Sequence, residues 1–420
     1  MTMRTQECPI RRLSPRDGGH YFFGYYDRCP WSADQGLVLA HRAEFCDRAP
    51  GPADRAAIGV LEGNGSFRRL DATSAWNWQQ GAQLAWIPGS PNLVFNVRVG
   101  AEGLGARILS PDGVLVGELA HPVAALSPAG GSALTLTFAR LTARRPEYGY
   151  AGLTDPSVAD PAPGSDGVYR LDLRSGRREL LVSIRALVEH RPSPWAGPGT
   201  VHHVNHPLYN RAGTRFCFMQ RFVREGGIQH SRLFTLGADG SDLRLLFEGF
   251  VSHYDWLDDT TIVAWAGRRR LLGGKGGSMA GLARRSLKAA YHALGKPRFL
   301  MSRVMKDSYL LFPDREGAEP AALARGDLTT DGHCTRSPDG RWLLTDGYPD
   351  RGRQPLFLWD LRTGAGVRVG RYASPALFDG PIRVDLHPRF SRDGRAVCID
   401  SAMDGSRAMY AVDVSSITAP

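Results

Sequence analysis

A short unit that recurs along the chain limits what it can fold into. In its clearest copy, His387 is followed by two spacers, the bulky Phe390, a Ser-Arg-Asp-Gly turn and the apolar run 396–400. Altered copies surround Arg336 and Tyr209. Repeats are sought first because a missed repeat leads to the wrong fold. Each copy predicts a strand, a tight turn and a second strand.

Seven copies can be aligned on the bulky position, which we call the anchor. The anchors are Trp31, Trp86, Leu126, Tyr209, Trp256, Arg336 and Phe390. Repeats of about 40 to 50 residues with four strands each are typical of the blades of a β-propeller. The intervals 126–209 and 256–336 are nearly twice as long as the others, and we interpret the excess as insertions. The sequence therefore predicts an all-β, seven-bladed β-propeller; a propeller of eight or nine blades with degenerate repeats is the alternative.

One domain is expected to use the whole chain, residues 1–420, because its 42% hydrophobic content can fill one large core. The 49 Gly and 28 Pro suit the many tight turns of such a fold. Only three strands fit after Phe390. The N-terminal segment, about residues 7–15, is therefore predicted to close the last blade as its fourth strand and cover an open sheet edge.

The net charge of +10 belongs to one segment, an insertion in the fifth blade at about residues 266–306. Eleven Lys or Arg and no acidic residue lie between Asp259 and Asp307, so the rest of the chain is nearly neutral. A nucleic-acid partner is therefore not expected. An apolar stripe in this segment predicts an amphipathic basic helix. Such a helix would contact an anionic membrane surface, form a lid over an anionic substrate, or be a solvated flap.

The cysteines and the N-terminus indicate a compartment. Six Cys without a Cys-x-x-Cys motif do not predict a disulfide framework. Residues 1–7 lack the apolar core of a secretion signal, and no apolar run approaches the ~20 residues that span a bilayer. We expect a cytoplasmic protein, with peripheral contact to the inner membrane if the basic helix binds lipid.

Histidines mark the second half of the repeat series. Three residues before the anchor, the last four repeats carry His206, His253, His333 and His387, whereas the first three carry Arg28, Gln83 and Val123. Equivalent positions on successive blades converge at one end of the central channel. A single His there is more often a core residue, but four predict a shared site. Imidazoles would bind a divalent metal (Mn, Zn or Ca) or hold an anionic substrate. The nearby Asp255, Asp331 and Asp385 would orient ring nitrogens.

Two stretches in the first half carry further polar and aromatic residues. The lead-in to the first anchor, residues 18–27, contains five aromatics and His20, and His41 follows on the next strand. It is either an aromatic plug between blades or a rim that faces carbohydrate. A loop with two Arg and two Tyr, residues 144–150, suits an anionic ligand, since a guanidinium holds a carboxylate bidentately and a phenol donates a proton. Its alternative is an ordinary solvated loop.

These motifs resemble a known family. The blade template is similar to that of TolB-type and oligogalacturonate-lyase-type propellers. The resemblance to the seven-bladed polysaccharide lyases, including ulvan lyases, rests on His20, His41, Gln80, Arg98, Tyr148, Tyr150 and the four His-bearing turns. It covers about residues 18–415, apart from the basic insertion.

This resemblance implies β-elimination at a uronic acid, which needs a neutralised carboxylate, a base for the C5 proton and an acid for the departing O4. It implies His20 and His41 as base or carboxylate partner, Tyr148 or Tyr150 as base or acid, and Arg98 as the neutralising group. Substrate binding is assigned to Gln80, Arg140, His203, Arg221, Tyr254 and Arg383. The four template His then look like the His-rich Mn site of oligogalacturonate lyases.

The expected function is therefore a carbohydrate-active lyase that cleaves acidic oligosaccharides or polysaccharides. The alternative is a non-catalytic propeller scaffold, or a glycan-binding protein in surface-polysaccharide assembly. Such a protein would associate with the membrane through residues 266–306.

Overall fold

The structure is a computed structural model that describes residues 3–100, 103–224, 227–268, 306–324 and 326–419. This part of the chain is mostly β, as the repeat predicts, and its strands are numbered β1–β28 in chain order. Its short helices are α1 Phe138–Arg144, α2 Ile184–His190, α3 Ser415–Thr418 and the 3-10 turn Gly380–Ile382. Among the described helices, none combines the length and the apolar character needed to cross a bilayer.

The first three sheets follow one another along the chain and contain four antiparallel strands each. The first contains β3 His20–Phe22, β4 Leu37–Ala43, β5 Ala56–Glu62 and β6 Phe67–Thr73. The second contains β7 Ala85–Trp86, β8 Leu93–Val99, β9 Gly103–Leu109 and β10 Leu115–Leu119. The third contains β11 Ala125–Leu126, β12 Ser132–Leu136, β13 Gly167–Asp172 and β14 Arg178–Ser183.

A seven-stranded sheet comes next. Its strands are β15 His202–Tyr209, β16 Arg215–Arg224, β17 Ile228–Gly237, β18 Arg244–Trp256, β19 Thr261–Gly267, β20 Ser308–Pro313 and β21 Ala321–Ala322. The first part of β18 pairs with β17 and the second part pairs with β19. Two groups of four strands therefore share this one long strand.

The last two sheets join the two ends of the chain. One contains β22 Thr335–Arg336, β23 Trp342–Asp346, β24 Arg353–Asp360 and β25 Ala365–Ala373, with β1 Arg4–Thr5 parallel to β25. The other contains β26 Arg389–Phe390, β27 Ala396–Ser401 and β28 Ala408–Asp413, with β2 Ile10–Arg12 antiparallel to β28. The N-terminal segment thus supplies the fourth strand beside the C-terminal hairpin.

The anchors of the sequence repeat end the first strand of each four-stranded group. Six of them are the last residues of β7, β11, β15, β18, β22 and β26, and Trp31 forms an isolated bridge to Val38. The turn that follows requires glycine, since Gly340 and Gly394 have φ of 78° and 72°, which L side chains disfavour. The sequence template is therefore one strand and its turn.

The two long repeat intervals differ in content. In the interval 126–209, α1 and a loop separate β12 from β13, and α2 follows β14. In the interval 256–336, the predicted basic helix falls on residues 269–305, which lie outside the described residues.

A buried ion pair fastens the aromatic lead-in to the last sheet. The side chains of Arg389 and Asp400 are 1% and 2% exposed and lie 3.0 Å apart. Asp400 accepts hydrogen bonds from the amides of Phe23 and Gly24, and Arg389 donates to the carbonyls of Gly24 and Tyr25. Because every polar group in this network has a partner, the backbone before Tyr25 is held in one position.

Candidate functional site

The backbone aims the template side chains by local irregularity. Gln83, His206 and His387 occupy the same repeat position and all have positive φ, at 56°, 53° and 41°. The ladder register shifts between Asn205 and Leu208, around His206. A similar shift around His253, in β18, lies between Val251 and Tyr254. Bulges of this kind redirect a side chain out of the regular alternation of a strand.

Three of the four template His rings come together. The ring centroids of His253 and His333 lie 4.1 Å apart, and those of His333 and His387 lie 4.3 Å apart. His206 joins the group through Tyr25, whose ring centroid is 4.8 Å from that of His206 and 5.1 Å from that of His387. The four template His therefore lie near one another, with His206 partly buried and the other three buried.

Each of the two central rings is oriented by its own carboxylate. Nδ1 of His253 donates to Asp331 at 3.0 Å, and Nδ1 of His333 donates to Asp346 at 3.0 Å. The amide of His333 also donates to Asp346, at 2.6 Å. These bonds fix the orientation of both rings and leave each Nε2 as the nitrogen that could meet a ligand. Asp255, expected in the same role, instead accepts from Thr335 and from the amide of Arg336.

His333, Asp385 and His387 form a group with the chemistry of a metal site. Their ligand atoms all lie within 4.8 Å of one another, and the three residues are buried. Nε2 of His387 is buried without a hydrogen-bond partner. Imidazole and carboxylate ligands suit Mn or Zn, and a carboxylate on the far nitrogen of a ligating His is the usual support for such a ligand. The residues therefore fit a divalent cation. In such a site Asp385, predicted to orient a ring nitrogen, would itself be a ligand.

The carboxylates give this group a negative field. Burial alone would lower the pKa of His333, but Asp346, Asp385 and Asp331 raise it above 6.5. Burial and the neighbouring His333 hold the pKa of His387 well below 6.5. Burial would raise the pKa of Asp385, but Arg383 and His333 lower it below 3.8. The same negative charge that favours a protonated His333 favours a bound cation in its place.

His206 is tied to the second sheet and stands beside the metal group. The Nε2 amide of Gln80 donates to Nε2 of His206 at 3.0 Å, and Gln83 donates to Gln80 at 3.1 Å. The Tyr254 hydroxyl donates to the carbonyl of His206. Tyr254 thus supports the backbone of His206. A ligand that displaced Gln80 would free the ring nitrogen of His206.

Three arginines lie around the same cluster. Arg383 donates to Asp385 at 2.7 Å and to the Tyr148 hydroxyl at 3.3 Å. The guanidinium of Arg145 lies 4.8 Å above the Tyr148 ring. Arg221 is buried, and burial together with Arg145 lowers its pKa to about 10. This concentration of positive charge beside the His group suits an anion.

His203 lies in the strand next to this positive charge. It is paired across the ladder with Arg221, and its Nε2 is buried without a partner. Burial, Arg221 and Arg145 hold the pKa of His203 well below 6.5. The ring is therefore a neutral base at physiological pH.

Two tyrosines of the lead-in plug the channel between these groups. Tyr25 contacts the rings of His206, His333 and His387, and Tyr26 contacts those of His253 and His333. Both tyrosines are buried, and burial raises their pKa far above 10. The Tyr26 hydroxyl donates to the carbonyl of Tyr254 at 3.0 Å. The lead-in therefore packs as a plug, of the two alternatives that the sequence offered.

Two residues named from the family resemblance lie in the core. The ring of His41 stacks on Phe22 at 4.8 Å, and its Nε2 accepts from the amide of Ala82. Burial lowers its pKa to about 3. The Tyr150 ring stacks on Phe138 at 4.9 Å, and its hydroxyl accepts from Asn96 at 3.0 Å. Nε2 of His41 and the hydroxyl of Tyr150 thus form hydrogen bonds to residues outside the His cluster, while Nδ1 of His41 is buried without a partner.

Three other candidates also lie apart from the cluster. Arg98 donates to the carbonyl of Ala151. Arg140 is buried and donates to Asp155 and to the carbonyl of His202. Such contacts tie the loop after α1 to β15. His20 is half-buried, and burial and Arg407 lower its pKa below 6.5.

Several residues of the site were not predicted from the repeat. Asp346 lies ten residues after its anchor, where the last copy carries Asp400, and it reaches His333 because β22 and β23 pair. Tyr348 lies 6.0 Å from His333 between ring centroids. Gln79 accepts from Arg383 at 3.0 Å across the ring of sheets. The charged cluster around Arg145 was visible only as a loop rich in Arg and Tyr.

Comparison with known proteins identifies the fold. No family model and no curated protein sequence matches the chain. Among solved structures, an oligogalacturonate lyase from Vibrio parahaemolyticus aligns over 99% of this chain and 96% of its own, at 12% identity and a TM-score of 0.59. The chain has an oligogalacturonate-lyase-like fold. The resemblance stated from the sequence is confirmed at this level.

Two further solved structures extend the comparison. An oligogalacturonate lyase in complex with manganese covers 98% of this chain and 96% of its own, at 15% identity and a TM-score of 0.58. The β-propeller domain of the Trilobed protease from Pyrococcus furiosus covers 94% and 96%, at 8% identity and a TM-score of 0.48. With the oligogalacturonate-lyase-like fold, the succession of small antiparallel sheets is propeller-like.

Proposed function

We propose that this protein is a lyase that cleaves uronate-containing oligosaccharides by β-elimination, on a propeller of seven blades. The single observation that carries the proposal is the meeting of the His333, Asp385 and His387 group with Arg383 in one buried cluster. The seven groups of four strands supply the blade count. Manganese in a lyase of similar fold supports the assignment of a divalent cation.

The reaction makes specific demands on the site. A base removes the C5 proton of the uronate, the released electron pair forms the C4=C5 double bond, and the O4 leaving group departs with a proton. The C5 proton is acidic enough only when the negative charge that develops on the carboxylate is stabilised. Each demand can be matched to a group of the cluster.

His333, Asp385 and His387 would hold the cation. When bound, a divalent cation neutralises the uronate carboxylate and thereby acidifies the C5 proton. Asp346 holds the ring of His333 through its Nδ1, at 3.0 Å, and Asp331 does the same for His253, at 3.0 Å. These carboxylates keep the ring nitrogens pointing in fixed directions before any ligand enters.

The arginines would bind the carboxylates of the substrate. The guanidinium of Arg383 is held by Asp385 and contacts Tyr148, while Arg145 lies over the same tyrosine ring. Burial of Arg221 strengthens its attraction for an anion, because the surrounding dielectric is low. A pair of neighbouring uronates in an oligosaccharide would engage this group more fully than a single sugar.

Two groups are assigned to proton transfer. His203 remains neutral because burial and Arg221 depress its pKa, so it serves as the base for the C5 proton. The Tyr148 hydroxyl, which accepts from Arg383 at 3.3 Å, serves as the acid for O4.

The substrate and compartment follow from the same features. All six cysteines are free, which agrees with a reducing cytoplasm. We therefore propose acidic oligosaccharides rather than an external polymer as substrate. Peripheral contact with the inner membrane through residues 266–306 remains part of this proposal and rests on their basic sequence.

One experiment tests the function. The purified protein is analysed for bound metal and then incubated with oligogalacturonates and other acidic oligosaccharides, while the absorbance of the unsaturated uronate product is recorded. We expect a stoichiometric divalent metal, product formation with at least one uronate, and loss of both after chelation. His387→Ala should lose the metal and the activity. His121→Ala, on a loop outside the cluster, is the matched control.

Two results would contradict these assignments. A correctly folded protein that forms no unsaturated product with any uronate, with metal supplied, contradicts the proposal. Retention of full activity by His387→Ala would contradict the assignment of the metal site.

A further inference from the structure

A cavity lies beside Tyr26 and apart from the template His. It has a volume of ≈ 240 Å³, room for roughly eight waters. Tyr26 borders both regions, since it lines this cavity and its ring also contacts His253 and His333. None of the four template His lines the cavity.

The lining of this cavity is strongly positive. It contains five arginines and a single acid, Asp27: the arginines are Arg28, Arg211, Arg336, Arg389 and Arg392. Asp27 forms an ion pair with Arg28 at 2.9 Å, and Arg389 forms one with Asp400. Within the described part of the chain, Arg211, Arg336 and Arg392 form no ion pair. Among the described residues, three guanidinium groups around one small cavity therefore have no carboxylate within ion-pair distance.

Arg336 is the most exceptional of these residues. It occupies the anchor position, where the other six repeats carry an aromatic residue or Leu. Its Nε is buried without a hydrogen-bond partner. Burial and the charge of Arg211 lower its pKa, against the smaller opposing effects of Asp255, Asp258 and Asp339. Arg336 as a whole is only partly buried. Because its Nε lacks a partner and a second cation lies beside it, a bound anion would stabilise this group.

The repeat itself places further charge here. Arg211 and Arg392 hold the same template position, two residues after their anchors, on different blades. Arg211 makes one hydrogen bond to the carbonyl of Ser337 at 3.3 Å, and Arg392 donates to the carbonyls of Trp31 and Ser32 at 2.9 Å. These contacts hold the guanidinium groups in position from two sides of the cavity.

We propose that this cavity is a binding site for a small oxyanion, a carboxylate or phosphate compound no larger than a monosaccharide. Fixed guanidinium groups bind such oxyanions through paired, charge-assisted hydrogen bonds. The site is separate from the His cluster and does not depend on the lyase activity. Its ligand neutralises Arg336 and Arg211 together and so stabilises this group.

Binding and thermal unfolding test the site in the full-length protein. Inorganic phosphate and glucuronate are titrated by calorimetry, with glucose as the neutral control and NaCl at matched ionic strength. We expect phosphate or glucuronate to bind and to raise the melting temperature above that in NaCl. Arg336→Leu, which restores an apolar anchor, should weaken binding by about tenfold or more. Arg177→Leu, an exposed arginine elsewhere, and His387→Ala should bind as the wild type does.

The results of these titrations identify the ligand and show whether the proposal fails. Binding of phosphate alone, of glucuronate alone or of both supports the site and assigns its chemistry. Unchanged affinity in Arg336→Leu, or a stabilisation by phosphate and glucuronate no larger than that by NaCl, overturns it. If Arg336→Leu fails to fold, Arg211→Ala carries the same test.

Discussion

The imidazole rings of His253 and His333 lie 4.1 Å apart between centroids, and each donates its Nδ1 proton to a carboxylate of its own. The acceptors are Asp331, which lies four residues before β22, and Asp346, the last residue of β23. Because both Nδ1 atoms are occupied, Nε2 is the nitrogen of each ring that could meet a ligand. His333, held in this way, meets Asp385 and His387 in a buried group that would suit a divalent cation.

Removal of the carboxylate behind His333 should weaken metal binding without removal of a ligand. Asp346→Asn keeps the shape of the side chain but loses the charge that orients and polarises the ring. We expect the metal affinity to fall about 10- to 100-fold, as is typical for partners of ligating His. The measurement is a competition titration with a fluorescent chelator. Asp360→Asn, whose carboxylate pairs with Arg341 on the outer part of the same sheet, should leave the affinity unchanged.

Substitution of Tyr148 should lower activity, whereas substitution of Tyr150 should lower stability. Tyr148→Phe removes a hydroxyl bonded to Arg383, so kcat for the uronate should fall about 10²- to 10⁴-fold with little change in stability. Tyr150→Phe removes a buried hydroxyl bonded to Asn96, so the free energy of unfolding should fall by about 1 kcal/mol while kcat persists. Steady-state kinetics and urea unfolding check both. If Tyr150→Phe lost activity and Tyr148→Phe lost only stability, the catalytic role would belong to Tyr150.

The buried pair of Arg389 and Asp400 should dominate the stability of the last sheet. Arg389→Met leaves the Asp400 carboxylate, 2% exposed, without its counter-ion. We expect the free energy of unfolding to fall by about 3–5 kcal/mol, measured by urea unfolding. Arg389→Met combined with Asp400→Asn removes the uncompensated charge and should be less destabilised than the single variant. Equal stability of the two variants would show that the charge is not the cause.

His41 should make the protein sensitive to acid. Its pKa is 6.5 in the unfolded chain and about 3 when burial keeps it neutral in the fold. As the pH falls through 6.5 the unfolded chain therefore gains a proton that the folded chain does not, and stability is lost until about pH 3. Between pH 7 and 5 this one group should cost about 2 kcal/mol.

The matched variant is His41→Gln, whose side-chain oxygen can accept from the amide of Ala82 as Nε2 of His41 does at 3.0 Å. Its free energy of unfolding, followed by urea unfolding at each pH, should decline less steeply between pH 7 and 5 than that of the wild type. Parallel slopes in the two proteins would contradict the assignment, because other buried His would then account for the acid sensitivity.

Much of the architecture could be predicted because one local pattern recurs. An anchor followed by a glycine turn dictates a strand end wherever it occurs, so Trp86 and Phe390 end strands as expected. The repeat also exposed the template His, since a fixed spacing from the anchor places them at the same end of successive strands. The roles given to His41 and Tyr150 rested on resemblance to a family, and the structure engages both in packing contacts.

The sequence by itself determined the class of fold and the half of the channel that carries histidines, because both follow from spacing along the chain. Only the tertiary structure decided which groups meet. Asp346 reaches His333, and Arg383 reaches Tyr148, across distances of 13 and 235 residues along the chain. It also showed that Arg336, a single odd anchor in the repeat, stands beside Arg211 from another sheet. Such neighbours depend on how the sheets pack against one another, and no local pattern encodes that packing.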